Sequence, residues 1–223
     1  MTTLSVGFGL FYLTEVDGAA WRSPMDYNAR IIVKGLKQEE FKGYADFRIG
    51  GVDRRFDGKN IEELMPIFLG HLAKNAKEFL SGTFSIVPIP NSNMALGKEG
   101  TFRTVELAKM FAKAYGSDAK VEPVLVWDKL RKKQHGAAGF RHPDQFEPHF
   151  RLAGKPTRPV VIFDDVLTSG SQLIASARFL SKEGYPPKCG LVAARATKTQ
   201  HDRMIAWSTE TFSLDRVAFD IEF

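Results

Sequence analysis

One segment restricts the folds open to this chain more than any other. Val160-Val161-Ile162-Phe163 is a β-branched and aromatic run after Pro159, and it delivers two adjacent acids, Asp164 and Asp165. Val166 and Leu167 follow, then Thr168, Ser169, Gly170 and Ser171, and then Leu173, Ala177 and Leu180 at helical spacing. A strand, a short turn and a helix in that order make a βα unit, and open α/β sheets bind ligands outside the carboxyl ends of their strands. The turn exposes backbone N–H groups, and the helix dipole adds partial positive charge there. Thr168, Ser169 and Ser171 add hydroxyl donors, and Gly170 lets the backbone come close to a ligand. These features suit a phosphate dianion. Asp164 and Asp165 repel phosphate, but they can accept hydrogen bonds from sugar hydroxyls or hold a hydrated Mg²⁺. A phosphate pocket beside two acids is what a ribose 5-phosphate needs. An acidic pair that merely solubilises a strand end would account for Asp-Asp alone, but not for the whole ordered series.

The surrounding sequence predicts an α/β fold, a doubly wound parallel sheet with a Rossmann-like core. Thr83 to Ile89 reads as a strand. Thr101 to Tyr115 reads as a helix, with Ala108, Phe111, Ala112 and Tyr115 on one face and Gly116 as its stop. Val121 to Trp127 and Lys188 to Ala194 are further strands, and Ser169 to Glu183 a further helix. Alternation of this kind implies a parallel sheet covered on both faces. Asp128 to Pro156 is basic and weakly periodic, and reads as a long functional loop. Upstream, Leu4 to Thr14 reads as a strand and Asn28 to Leu36 as a helix. Gly43 to Asp57 reads as loop or short strand, and Asn60 to Leu80 as a helix capped by Asn60, with Pro66 close to its first turn. The expected division is an N-terminal lobe or hood over residues 1–58 and a core over 59–223.

Composition narrows the functional classes. The single cysteine, Cys189, excludes an internal disulfide and a cysteine-rich zinc site. No run reaches the ~18 to 20 apolar residues of a spanning helix, and the first residues lack a basic and apolar leader, so a cytoplasmic protein without membrane contact is expected. The net charge of +5 suits a phosphate-rich ligand or weak single-stranded nucleic-acid binding. His135, His142 and His149 match no standard metal spacing. Phe11, Tyr12 and Trp21 read as core residues before they read as a base-stacking platform, and Arg195 and Lys198 as rim.

The segment from Val160 to Ser171 resembles the 5-phosphoribosyl-1-pyrophosphate (PRPP) motif of type I phosphoribosyltransferases. The Pro88-Ile89-Pro90 strand end, Glu106-Leu107-Ala108, Arg131-Lys132-Lys133-Gln134 and Arg141 occur in the order seen in the ComF-like branch. The resemblance covers roughly Ala29 to Thr197 and is strongest at Val160 to Ser171. It implies that Asp164 and Asp165 contact the ribose hydroxyls, with Mg²⁺ held through water or ribose. It implies that Thr168, Ser169, Gly170, Ser171 and Gln172 cradle the 5-phosphate. The loop with Asn91, Ser92 and Asn93 would bind pyrophosphate, and a mobile loop with Arg131, Lys132 and Lys133 would receive it as leaving group. The implied reaction transfers 5-phosphoribosyl to a nitrogen nucleophile such as a nucleobase, in a protein that often forms homodimers. Two departures stand out. The four-cysteine zinc module of many ComF-like proteins cannot form, and Gly100-Thr101-Phe102-Arg103-Thr104 replaces the usual Arg-Gly-Phe-Asn run. Nucleic-acid handling, or PRPP sensing without transfer, is the alternative function.

Overall fold

The computed structural model describes residues 2–14, 23–130 and 142–215. Its elements, in chain order, are β1 (Thr3–Phe8), β2 (Phe11–Leu13), α1 (Pro24–Lys37), β3 (Tyr44–Ile49), β4 (Val52–Asp57), α2 (Ile61–Ala76), β5 (Phe84–Pro88), α3 (Arg103–Tyr115), β6 (Ala119–Val121), β7 (Leu125–Trp127), β8 (Phe150–Leu152), β9 (Val160–Leu167), α4 (Ser171–Lys182), β10 (Cys189–Thr197) and β11 (Ser208–Ser213). Among the described residues a seven-stranded sheet runs β11-β1-β10-β9-β5-β6, with β2 also pairing β10. Every pairing in it is parallel except β1 with β11. The protein is therefore an α/β fold with a parallel-dominated sheet, as the alternation of strands and helices predicts.

Both faces of the sheet are covered, which is why its central strands are apolar on both sides. Val161, Phe163 and Leu191 pack under α1, α2 and α3 with Ile32, Leu69 and Phe111. Val160, Ile162 and Val192 pack on the other face with Leu173 and Ala177 of α4 and with Trp127, Phe146 and Phe150. Burying one such large side chain stabilises by roughly 1.5–3 kcal/mol.

Several expected elements change form. The single strand expected over Leu4 to Thr14 is two, and both belong to the central sheet rather than to a separate lobe. Within the first 58 residues, β3 and β4 make their own antiparallel hairpin, turned by Gly50 and Gly51 with φ of 60° and 84°. Two successive positive φ values are what a two-residue hairpin turn needs. Helix α1 starts four residues before the expected Asn28, because Ser23 caps it, Pro24 occupies its first position and Asp26 closes a capping box. Asn60 caps nothing with its side chain. Its amide instead receives Asp57 N–H at 2.8 Å and donates to Arg55 O at 3.0 Å.

The strand expected over Val121 to Trp127 divides at Glu122-Pro123. Its first part joins the central sheet, and its second pairs with β8 from within the expected long loop. Glu122 is 7% exposed and ties three segments together. It accepts from Ser85 Oγ in β5, from Thr157 N–H (2.8 Å) and Oγ1 (2.7 Å) ahead of β9, and from Lys120 Nζ at 2.6 Å. Burial alone would raise its pKa. Lys120, Ser85 and Thr157 outweigh it and hold the carboxyl at about 2.

A depressed folded-state pKa stabilises the fold above the unfolded value of about 4.3, and that stabilisation is lost as pH falls toward 2. Urea unfolding across this window should show a loss of roughly 3 kcal/mol from this group. In Glu122→Gln that part of the pH dependence should be absent.

Candidate functional site

The alternation of β9 decides where its acids go. Val161 and Phe163 face α2 and α3, whereas Val160 and Ile162 face α4. Period-two geometry then sends Asp164 toward α4 and Asp165 toward α3. The contacts agree. Asp164 lines a cleft together with Phe146, Val166, Leu167, Thr168, Ser169, Gly170, Ser171, Gln172 and Leu173. This cleft has a volume of about 350 Å³ counted to its open mouth. Asp165 lies off the cleft and is 6% exposed.

The two carboxyl groups are neighbours with different surroundings. Asp164 Oδ1 accepts from Asp165 N–H, and Asp165 Oδ1 accepts from Val166 N–H, each at 2.8 Å. Arg103, the first residue of α3, brings Nη2 to 2.5 Å from Asp165 Oδ2. The same guanidinium donates through Nη1 to the Lys37 carbonyl at the end of α1, at 3.2 Å. No cation among the described residues forms an ion pair with Asp164. The protein packed around Asp164, and then the charge of Asp165, push its carboxyl well above the usual range. Arg103 falls in the stretch that departs from the ComF-like pattern, so sequence reasoning did not place it here.

The turn after β9 is held in an unusual backbone conformation. Gly170 sits at φ 79°, and a Cβ there would lie 3.0 Å from Phe212 Cε1. It occupies the cap position of α4 without offering a side chain. The first helical N–H groups after it have no acceptor within the helix, and Ser171 N–H, among the residues lining the cleft, lies 3.4 Å from Ser169 Oγ. Ser169 Oγ and Ser171 Oγ are 3.0 Å apart, within hydrogen-bond reach of each other.

The support beneath this turn involves β11, the last strand among the described residues, which the sequence reading missed. Arg195, expected as rim, donates through Nη1 to the Thr168 carbonyl and to Ala196 O at 3.0 Å. Its Nε and Nη2 meet both oxygens of Glu210, at 2.7 and 3.1 Å. Glu210 and Phe212 belong to β11, paired opposite Val6 and Leu4 of β1. The signal was the alternating Ser-Thr-Glu-Thr-Phe-Ser run, in which Ser208, Glu210 and Phe212 take the less exposed face and the two threonines the exposed one.

The other expected site residues lie elsewhere. Ile89 N–H donates to Phe163 O at 2.8 Å, so the Asn91-Ser92-Asn93 turn leaves β5 beside the acids. Trp127 Nε1 pins it through Pro90 O (3.1 Å) and Asn91 O (3.0 Å), but these residues do not line the cleft. Arg131, Lys132 and Lys133 lie outside the described residues, as do Gln134, His135, Arg141 and Trp21. His149 contacts Asp128 at 3.1 Å and His142 contacts Asp144, and no group of three metal-ligating side chains occurs among the described residues. Burial pushes the Cys189 thiol up to about 12, which removes it as a nucleophile. A hydrated Mg²⁺ fits Asp164 alone: an uncompensated carboxyl facing an open cleft, with the remaining ligands left to water and to a bound phosphosugar.

No family model and no curated protein matches the chain. Among solved structures, it is similar to an orotate phosphoribosyltransferase from Aeropyrum pernix at 17% identity, over 75% of this chain and 83% of that one, with a TM-score of 0.39. It is also similar to a hypoxanthine phosphoribosyltransferase from Staphylococcus aureus in two crystal forms. These match at 10% and 12% identity, over 63% of this chain and 71% and 70% of those chains, with TM-scores of 0.36 and 0.35.

Proposed function

We propose that this protein binds PRPP with Mg²⁺ and transfers its 5-phosphoribosyl group to a nitrogen nucleophile, a nucleobase being the favoured class. One observation carries the reading: Asp164 and the Thr168-to-Gln172 turn line the same cleft. A phosphosugar seated there has its tail against the main-chain amides and the hydroxyls of Thr168, Ser169 and Ser171. Its diol reaches Asp164. Asp165 stands behind, fixed by Arg103, and keeps the strand end rigid. Asn91, Ser92 and Asn93, with Arg131, Lys132 and Lys133, are assigned to the pyrophosphate.

The chemistry asked of these residues is positioning and charge stabilisation. The C1–O bond to pyrophosphate breaks, a C1–N bond forms, and the nucleophile's proton leaves to solvent or to pyrophosphate. Positive charge develops on the sugar ring, and the Asp164 carboxylate is the titratable group lining the cleft. Mg²⁺ held at this cleft would supply charge neutralisation to the departing pyrophosphate. Asp164 is the residue that would hold it, through water or through the diol.

Titration calorimetry with PRPP and Mg²⁺ tests this directly. Asp164→Asn should weaken PRPP binding by about tenfold or more, the value of a hydrogen bond to a charged acceptor. Asp164→Asn combined with Asp165→Asn should weaken it further. Absence of PRPP binding by the wild type, or unchanged binding by the double variant, counts against the proposal. The catalytic arm is pyrophosphate release against a panel of purines and pyrimidines.

The raised Asp164 carboxyl adds a second expectation. Its ionised form is the one that accepts the diol, so PRPP affinity should rise with pH through a value above the ordinary carboxylate range, and this rise should vanish in Asp164→Asn. Stability runs the other way. A raised folded-state pKa favours the fold at low pH, and the advantage is lost as pH rises through that value. Ligand-free Asp164→Asn should therefore melt higher than wild type at neutral pH, and equally at pH below about 3.9.

A further inference from the structure

We infer that Arg195 and Glu210 form a strut that sets the shape of the phosphate-binding turn, making Arg195 a positioning residue for the 5-phosphate. The inference rests on the reading of the cleft given above. A turn that receives an anion on its N–H groups must keep its carbonyls turned away, or their negative ends face the ligand. The Thr168 carbonyl lies in the middle of that turn, and Arg195 Nη1 donates to it. The Leu167 carbonyl lies 3.5 Å from the same nitrogen. Arg195 is thus a cation beneath the turn that binds its carbonyl side and leaves the amide side for the ligand.

Arg195 is itself held on two sides. Its Nε and Nη2 form a two-toothed pair with Glu210 at 2.7 and 3.1 Å, and its backbone N–H donates to Leu10 O at 2.7 Å. The planar guanidinium fork suits this task, since it satisfies a carboxylate with two donors and still offers a third to a carbonyl. A lysine donates from a single nitrogen and lacks the planar fork that grips both Glu210 oxygens. Phe212, two residues along the same strand, packs at Gly170, so β11 supports the turn twice, directly through Phe212 and by way of Arg195 through Glu210. Arg178 of α4 ties the end of β11 in place, donating to Leu214 O at 2.7 Å and to Asp215 O at 2.6 Å. The antiparallel edge strand thereby becomes part of the ligand site without touching the ligand.

The test uses ribose 5-phosphate as the probe, in calorimetric titrations of the full chain, with melting temperature and amide hydrogen exchange of residues 168–173 measured alongside. Arg195→Lys keeps the charge and loses the fork, and Glu210→Gln keeps the shape and loses the anchor. Each should weaken ribose 5-phosphate by about tenfold, the effect of one unmet charged hydrogen bond. Amide exchange should accelerate in the turn while β5 and β9 exchange as in the wild type. That local pattern separates a strut from a general loss of fold. Should Arg195→Lys fail to fold, Glu210→Gln decides alone, since it leaves Arg195 in place and removes only its anchor. Affinity within twofold of wild type in both Arg195→Lys and Glu210→Gln overturns the strut while leaving the cleft assignment standing. A wild type that binds no ribose 5-phosphate overturns the cleft assignment itself, whatever the exchange data show.

Discussion

Two carboxyl groups on consecutive residues of a buried strand repel each other, and sending them to opposite faces eases this repulsion without removing it. Period-two alternation does the separating, and one arginine does the neutralising on one face only. Asp165 has its counter-charge from Arg103 and is sealed under α3. Asp164 is left short of positive charge at the floor of a cleft. The rest of the site follows from that inequality. An acid whose ionised form is disfavoured is a demand that a ligand can meet, with hydroxyl donors or with a cation.

The same economy appears on the far side of the turn. Gly170 gives the backbone its left-handed bend, and the helix that follows begins with amides that no helical carbonyl accepts. A bend of that kind has two electrostatic faces, amide and carbonyl. Arg195 sits against the carbonyl face, and the residues of the turn line the cleft. Ion pairs of this partly buried type contribute little net stability compared with apolar packing, so their value here lies in geometry.

Much of this was legible in the sequence. The apolar run before Asp164, the hydroxyl-rich turn and the helical spacing of Leu173, Ala177 and Leu180 each obey a local rule, and local rules survive folding. The parallel sheet could be read from alternation because its strands are short and uniformly apolar. Other features could not be read this way. Arg103 is distant in sequence from Asp165, and a charged residue at a helix start carries no mark of its partner. β11 alternates polar with polar, since it lies at a sheet edge and points Glu210 inward at another charge, so hydropathy gave no strand signal. Pro123 broke an expected strand because the chain must leave one sheet for another. The capping box at Ser23 and Asp26 was present in the sequence as an ordinary helix-start signature, and shows how much the polar punctuation of a chain adds to its apolar periodicity.

The solitary thiol has a practical consequence. Cys189 lies at the start of β10, buried beneath the helices, with its ionisation suppressed. Alkylating reagents attack thiolates, and this one is scarce at neutral pH. The natural chain is therefore nearly silent toward maleimides and can carry a dye at a chosen exposed position without first removing its own cysteine. A fluorophore attached beside the cleft would report directly on whatever settles there.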